Sequence, residues 1–493
     1  MRKAFDNEKY LNLQSENILN RVKSFGNKLY IEFGGKLFDD YHASRVLPGF
    51  LPDTKLKMLL KLKDKVEIVI AINALDIQKN KIRRDLNISY ETEVLRLIDA
   101  FRASELYVGS VCVTQYHPIA TVDNFIKKLN NLGIKTYLHY NIEGYPHDIK
   151  KIISEDGFGK NEYIETIKPI VVVTAPGPGS GKMATCLSQL YHENKRGIKA
   201  GYAKYETFPI WNLALSDPVN LAYEAATADL ADVNMIDPFH LEAYGKLAVN
   251  YNRDVEIFPV LKSMFEAIYG SSPYKSPTDM GVNMAGFAIC DSEAASIASK
   301  NEIIRRYLNS LVDLRDGKIT NDAVDKILLL MQKLNISVND RKCVKAALDK
   351  KEKSNTEAMA LELEDGFIVD AKTSPLLTSS AALLLNALKH LAGINDELLL
   401  ISPSIIEPIT SLKIDNLGNH NPRLHADEVL IALAISARTN PLAEIAMQNL
   451  SKLAYTQAHS TVILPEVDAS VFKKLKIDLT TEAEFYGHKL YSK

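Results

Sequence analysis

The stretch Ile170-Val-Val-Val-Thr174-Ala-Pro-Gly-Pro-Gly-Ser-Gly-Lys182 decides the reading of this chain. Ile170 to Thr174 are β-branched throughout, the composition of a strand buried on both faces. Three glycines and two prolines then end the strand. From Lys182 onward Met183, Leu187, Leu190 and Tyr191 recur at helical spacing. Strand, glycine loop and helix in this order make a phosphate cradle: glycines let backbone N–H groups converge on oxygens, the helix start adds partial positive charge, and a lysine reaches the outer phosphates. Gly177, Gly179, Ser180, Gly181, Lys182 and Thr185 are therefore the expected phosphate ligands, with Lys182 stabilising charge on a transferred phosphoryl group.

The nucleotide-binding pattern G-x-x-x-x-G-K-[ST] is incomplete here. Pro176 stands where its first glycine belongs, and Met183 replaces the hydroxyl that ligates magnesium. Gly177 would serve a loop one residue shorter, and Ser180 or Thr185 would supply a hydroxyl. The competing reading is a tight turn whose glycines only solve backbone geometry, with Lys182 solvated.

Outward from this loop, short β-rich runs alternate with amphipathic stretches. Strands are expected at 29–33, 66–72, 106–113, 134–140, 170–174, 199–204 and, from Val255-Glu-Ile-Phe-Pro259, a further one at 255–259. Helices are expected over 91–101, 122–132, 182–196, from 217 and over 238–250, after an opening helix that stops at Gly26. Alternation of this kind means a doubly wound, mostly parallel α/β sheet. Residues 283–350 read as helical. Beyond them come a hairpin near 362–366, a leucine-rich helix at 379–391, a strand at 398–401 and two helices over 425–455. The expected division is an α/β region at 1–275, a helical segment at 276–354 and a C-terminal α+β domain at 355–493.

The 493 residues, 46% hydrophobic and 24% charged, suffice for several packed cores. Lys plus Arg (59) balance Asp plus Glu (61), which argues against nucleic acid or an anionic membrane as partner, so an anion site must be local. The four cysteines are scattered and read as buried thiols. With no apolar stretch long enough to span a bilayer, the expectation is a cytoplasmic protein, and the helical segment suggests a homo-oligomer.

Four other clusters are candidates for chemistry. In Gly34-Gly-Lys-Leu-Phe-Asp-Asp-Tyr-His-Ala-Ser-Arg45, Gly34 and Gly35 follow a strand, Lys36 and Arg45 suit a phosphate or carboxylate, and His42 suits an acid or base at neutral pH. Asp229 and Asp237 are the candidate magnesium ligands, Asp237 ending a short apolar run. Thr114-Gln-Tyr-His-Pro118 also leaves a strand end. A polar loop, Asp415 to His425, reads as helix capping or a site. Charged turns and helix caps explain each of these groups equally simply.

Gly34 to Gly49, Ile72-Asn-Ala-Leu-Asp-Ile77 and Thr174 to Lys182 together resemble the bacterial family called domain of unknown function 1846, over nearly the whole chain. The resemblance implies an N-terminal α/β region carrying the glycine loop and a distinct C-terminal domain, and it assigns no activity. The functional expectation is a transferase or ligase using ATP or GTP with magnesium on a small phosphorylated ligand. The alternative is a non-catalytic phosphometabolite-binding or regulatory protein, or an oligomeric scaffold.

Overall fold

The computed structural model describes residues 2–83, 86–230 and 232–485. Chain contacts divide them into two compact units, one of residues 2–224 with 232–299, the other of residues 225–230 with 300–485.

The first unit is built on six strands: β1 (Leu29–Phe33), β2 (Val66–Asn73), β3 (Tyr107–Tyr116), β4 (Lys135–Tyr140), β5 (Ile170–Thr174) and β6 (Gly201–Tyr205). All pair in parallel, in the order β4-β3-β2-β5-β1-β6. Every residue of β1, β2, β5 and β6 is buried. A strand hidden on both pleat faces needs cover on both, which is why these runs are mostly apolar rather than alternating, with Glu32, Glu67 and Lys204 as buried charged exceptions. The cover includes Leu11, Ile18 and Val22 of Asn7–Ser24, Val94, Leu97 and Phe101 of Tyr90–Ala103, Leu187 and Leu190 of Lys182–Lys195, and Phe258, Leu261 and Phe265 of Asn252–Tyr269.

Strand order fixes where a ligand belongs. From β2 the chain moves outward through β3 to β4, and from β5 it moves the opposite way, past β1 to β6. Connections that diverge leave a crevice at the carboxyl ends of the two central strands, here β2 and β5, the usual ligand position in open parallel sheets. The glycine loop begins at that end of β5.

Two expected strands are not strands. Val255–Pro259 lies inside the helix Asn252–Tyr269, where Val255, Phe258, Leu261, Phe265 and Ile268 form a buried stripe. A run of five residues cannot report its period, and the stripe is legible only over the longer window. The expected helix over 238–250 ends at Tyr244, with Gly245 as its left-handed cap. Its remainder is β8 (Val249–Tyr251), antiparallel to β7 (Asn234–Ile236). The second correction is Leu398 to Ile401, which is irregular chain after a turn at 396–397, with Leu398 and Leu399 exposed.

The second unit carries β9 (Ala358–Glu362), β10 (Ile368–Lys372), β11 (Gln457–Ser460) and β12 (Asp478–Thr481) in the order β10-β9-β11-β12. Only β11 and β12 are parallel. Its core joins this sheet to Ser379–Ala392 and Ala426–Ser436. Among the described residues no helix is long and apolar enough to cross a membrane.

Candidate functional site at the carboxyl edge of the parallel sheet

The loop after β5 is held from three neighbouring strands or their connections. Asn73, the last residue of β2, donates its side-chain amide to the Gly179 carbonyl and to Gln115 Oε1, both at 3.2 Å. Thr114 of β3 donates its hydroxyl to the Ser180 carbonyl at 2.9 Å. The phenol of Tyr90, first residue of the helix after β2, fills the space that a Cβ at Gly177 would need. The loop glycines divide the work. Gly177 admits a close approach, whereas Gly179 (φ +78°) and Gly181 (φ +84°) take the left-handed conformation that L side chains resist.

These constraints turn the loop's carbonyls inward and leave its donors unused. Among the described residues the backbone N–H groups of Gly179, Ser180, Gly181, Lys182, Met183 and Ala184 donate no hydrogen bond. Such donors, at the start of a 14-residue helix, carry partial positive charge and suit an anion. Lys182 is the first helical residue, and among the described residues its ammonium makes no hydrogen bond or ion pair. Lys81 adds a second cation, 4.8 Å from the Tyr90 ring centre, while pairing with Asp76 at 3.1 Å.

The hydroxyls offered by the sequence are engaged within the loop. Ser180 donates to the Gly177 carbonyl at 2.9 Å and Thr185 to the Gly181 carbonyl at 3.0 Å. They stiffen the turn. Asp237 is fully buried as the N-cap of Pro238–Tyr244, accepting from the N–H groups of Phe239 and His240 and from the Thr278 hydroxyl at 2.6 Å. Asp229 sits in the turn Ala228–Leu230, which groups with the other compact unit. Among the described residues no three His, Cys, Asp or Glu side chains are arranged to hold a metal ion.

Gly34 and Gly35 follow β1, whose Glu32 is in register with Val173 of β5, so the diglycine lies beside the glycine loop. Its neighbourhood differs from the expected cation clamp. The buried cation is Lys55, paired with Asp40 at 2.8 Å and 3.3 Å from the Gly34 carbonyl. Burial alone would lift the Asp40 carboxyl, but Lys55, with His42 and the Ala43 N–H, holds it below the usual carboxylate range. Lys36 is exposed, and Arg45 lies 5.8 Å from the Tyr41 ring centre. The His42 ring packs edge-on against Phe208 at 5.2 Å.

Beyond β1, the end of β6 carries a group the sequence reading did not single out. Lys204, the cross-strand neighbour of Glu32, is bound by both oxygens of Asp254 (2.6 and 2.7 Å) and by the Tyr251 hydroxyl, with Glu206 at 3.6 Å. Burial disfavours the Lys204 charge, but Asp254, Glu206 and Glu32 together raise its pKa above the ordinary lysine value. Glu206 is shifted upward by burial, with Asp254 and Glu32 adding to the effect and Lys204 opposing it. The available signal was an ionisable residue inside the apolar strand Gly-Tyr-Ala-Lys-Tyr.

In the second unit the polar loop resolves as capping. His425 N-caps Ala426–Ser436, its Nδ1 is 3.1 Å from Asp468, and Asp468 also accepts from the Ala426 N–H at 2.7 Å. The Asp468 hydrogen bond raises the His425 pKa.

The model of the domain of unknown function DUF1846, N-terminal, matches residues 3–335, and that of the DUF1846 C-terminal domain matches residues 339–491. The chain belongs to the DUF1846 family. It is 57% identical over 490 residues to a UPF0371 protein of Streptococcus pyogenes serotype M5 (strain Manfredo), covering 99% of each chain. Over 492 residues it is 57% identical to a UPF0371 protein of Streptococcus thermophilus (strain CNRZ 1066), covering all of both. The DUF1846 resemblance drawn from the glycine-rich segments is therefore correct, and no chemistry comes with it.

Proposed function

We propose that the turn from Ala175 to Lys182 holds the phosphate of a small ligand, and that the protein is a nucleotide-dependent transferase or ligase using ATP or GTP. The observation that carries this reading is the set of N–H groups from Gly179 to Ala184 that, among the described residues, donate no hydrogen bond, beside a Lys182 ammonium with no partner among them, at the crevice between β2 and β5. Lys182 and Lys81 supply positive charge there, while Asn73, Thr114 and Tyr90 keep the turn open. Magnesium would arrive on the nucleotide's own phosphates, because Ser180, Thr185 and Asp237 are committed to the fold. Those commitments are also what favours the second reading, a phosphometabolite-binding protein without catalysis.

A thermal-shift panel of ATP, GTP, their diphosphates and phosphorylated sugars, each with and without magnesium, tests the proposal. Stabilisation by a phosphate ligand that disappears in Lys182→Ala supports it, and magnesium dependence favours the transferase reading. A Lys182→Ala protein that binds as well as the parent refutes it.

A further inference from the structure

The helix Ala426–Ser436 of the second unit runs from Val429 to Ile435 without a polar residue. Val429, Ala432 and Leu433 point inward and are buried in that unit's core. Ile431, Ala434 and Ile435 are exposed, the two isoleucines at 60% and 54%. A helix that is apolar on every side belongs in an interior, so its outer face lacks cover. The exposed positions form a stripe with a charge at each end. Asp427, half-buried, lies four residues before Ile431, and Arg438, exposed, lies three residues after Ile435, with Ala437 between them still in helical conformation. The 11 residues from Asp427 to Arg438 make about three turns, so both charges share the isoleucine face, about 16 Å apart along the axis. Neither has an opposite charge as partner among the described residues. Asp427 accepts from the adjacent Glu428 N–H at 2.8 Å, and Glu428, the other acid of the first turn, is taken by Lys413 at 2.7 Å. Asn440 donates to the carbonyls of Leu399 and Leu400 at 3.3 and 3.2 Å, which sets the exposed Leu398-Leu399 segment beside the Arg438 end.

We propose that this face is the contact between two copies of the chain, packed with their Ala426–Ser436 helices antiparallel across a two-fold axis. Ile431, Ala434 and Ile435 of each copy then cover those of the other, and Ala434 lets the helices approach closely. Asp427 at one end meets the partner's Arg438, and the symmetry repeats the pair at the other end. The occupant is read from the charges: a line of acid, apolar centre and base is complementary to its own reverse, whereas a parallel copy would set like charge against like. An acidic or a basic partner would satisfy one end and be repelled at the other. The helix dipole favours an acid at the start and a base at the end of any helix, but it gives no reason for exposed isoleucines between them. The inference concerns the second unit alone and is independent of the phosphate reading.

Sedimentation velocity of the full chain over about 1–100 µM, the range that a small apolar contact supports, tests it. The expected result is concentration-dependent self-association of the parent, abolished in Ile435→Asp and weakened about tenfold or more in Asp427→Lys and in Arg438→Glu, each of which turns both ion pairs into like-charge contacts. Mixing the two charge variants in equal amounts should restore association, because in the mixed pair each reversed end meets its opposite. That recovery also shows that both variants are folded, so the test does not depend on Ile435→Asp. A parent that stays monomeric, charge variants that associate as well as the parent, or a mixture that associates no better than its components would overturn the proposal. Loss of phosphate binding in Lys182→Ala with self-association intact would leave it standing.

Discussion

Gly179 and Gly181 have similar backbone angles, +78° and +84°, but different surroundings, and the contrast gives the sharpest structural test of the loop. A Cβ on Gly179 meets nothing within 4 Å, whereas one on Gly181 would lie 2.8 Å from Thr114 Oγ1, 2.9 Å from Cγ2 and 3.0 Å from Cβ. Gly179→Ala therefore carries only the left-handed penalty, about 1–2 kcal/mol. Gly181→Ala carries the same penalty and must also push Thr114 away, breaking its buried hydrogen bond to the Ser180 carbonyl at about 1 kcal/mol and straining the packing by about 1 kcal/mol more. Gly181→Ala should be the less stable variant by about 2 kcal/mol, roughly thirty-fold in the unfolding equilibrium. Trp211 is the chain's single tryptophan and lies in the same compact unit as the loop, so its fluorescence in a urea titration follows that unit. Thr114→Ala introduced beside Gly181→Ala should recover part of the difference. Two glycine variants within 0.5 kcal/mol of each other, or a reversed order, would refute the described role of Thr114 in shaping the turn.

Lys55→Met should cost about 3–5 kcal/mol by leaving Asp40 buried without its ammonium, and adding Asp40→Leu should restore most of it in the same urea assay. His139, buried with its Nε2 3.1 Å from the Glu162 carbonyl, has its pKa lowered by burial to about 4. Its folded-state pKa lies below the unfolded value, so the neutral ring's contribution is complete above about pH 6.5 and is lost as pH falls from there towards 4, by up to about 3 kcal/mol. A His139→Gln protein should show a flatter stability profile across that window. Thiol titration with a chromogenic disulfide should find one fast group, Cys290, and three that react only on unfolding, among them Cys112, whose pKa burial pushes up to about 12.

The central sheet was legible because its strands are buried on both faces: Ile68–Ile72 and Ile170–Val173 read as short continuous apolar runs. The stretch at 255–259 is a helix rather than a strand: so short a run fits either period, and only Leu261, Phe265 and Ile268 further on reveal the helix. The glycine loop could be found from glycine spacing, but not which of its hydroxyls face inward, since Ser180 and Thr185 choose their partners through three-dimensional neighbours. The diglycine segment leaves β1 at the carboxyl edge of the sheet, but the buried cation beside it carried no sequence signal. Lys36 is exposed, and the buried partner of Asp40 is Lys55, 15 residues downstream in a helix with no motif around it. Lys204, Glu206 and Asp254 likewise meet only because β6 and the helix Asn252–Tyr269 are brought together by the fold.

The most direct test of the phosphate-binding turn is amide hydrogen–deuterium exchange of the full chain with and without ATP and magnesium. The account predicts slowed exchange at the peptides covering 177–184, where the undonated N–H groups lie, with Lys182→Ala abolishing the protection. Unchanged exchange at those amides while ligand protects another part of the chain would contradict it.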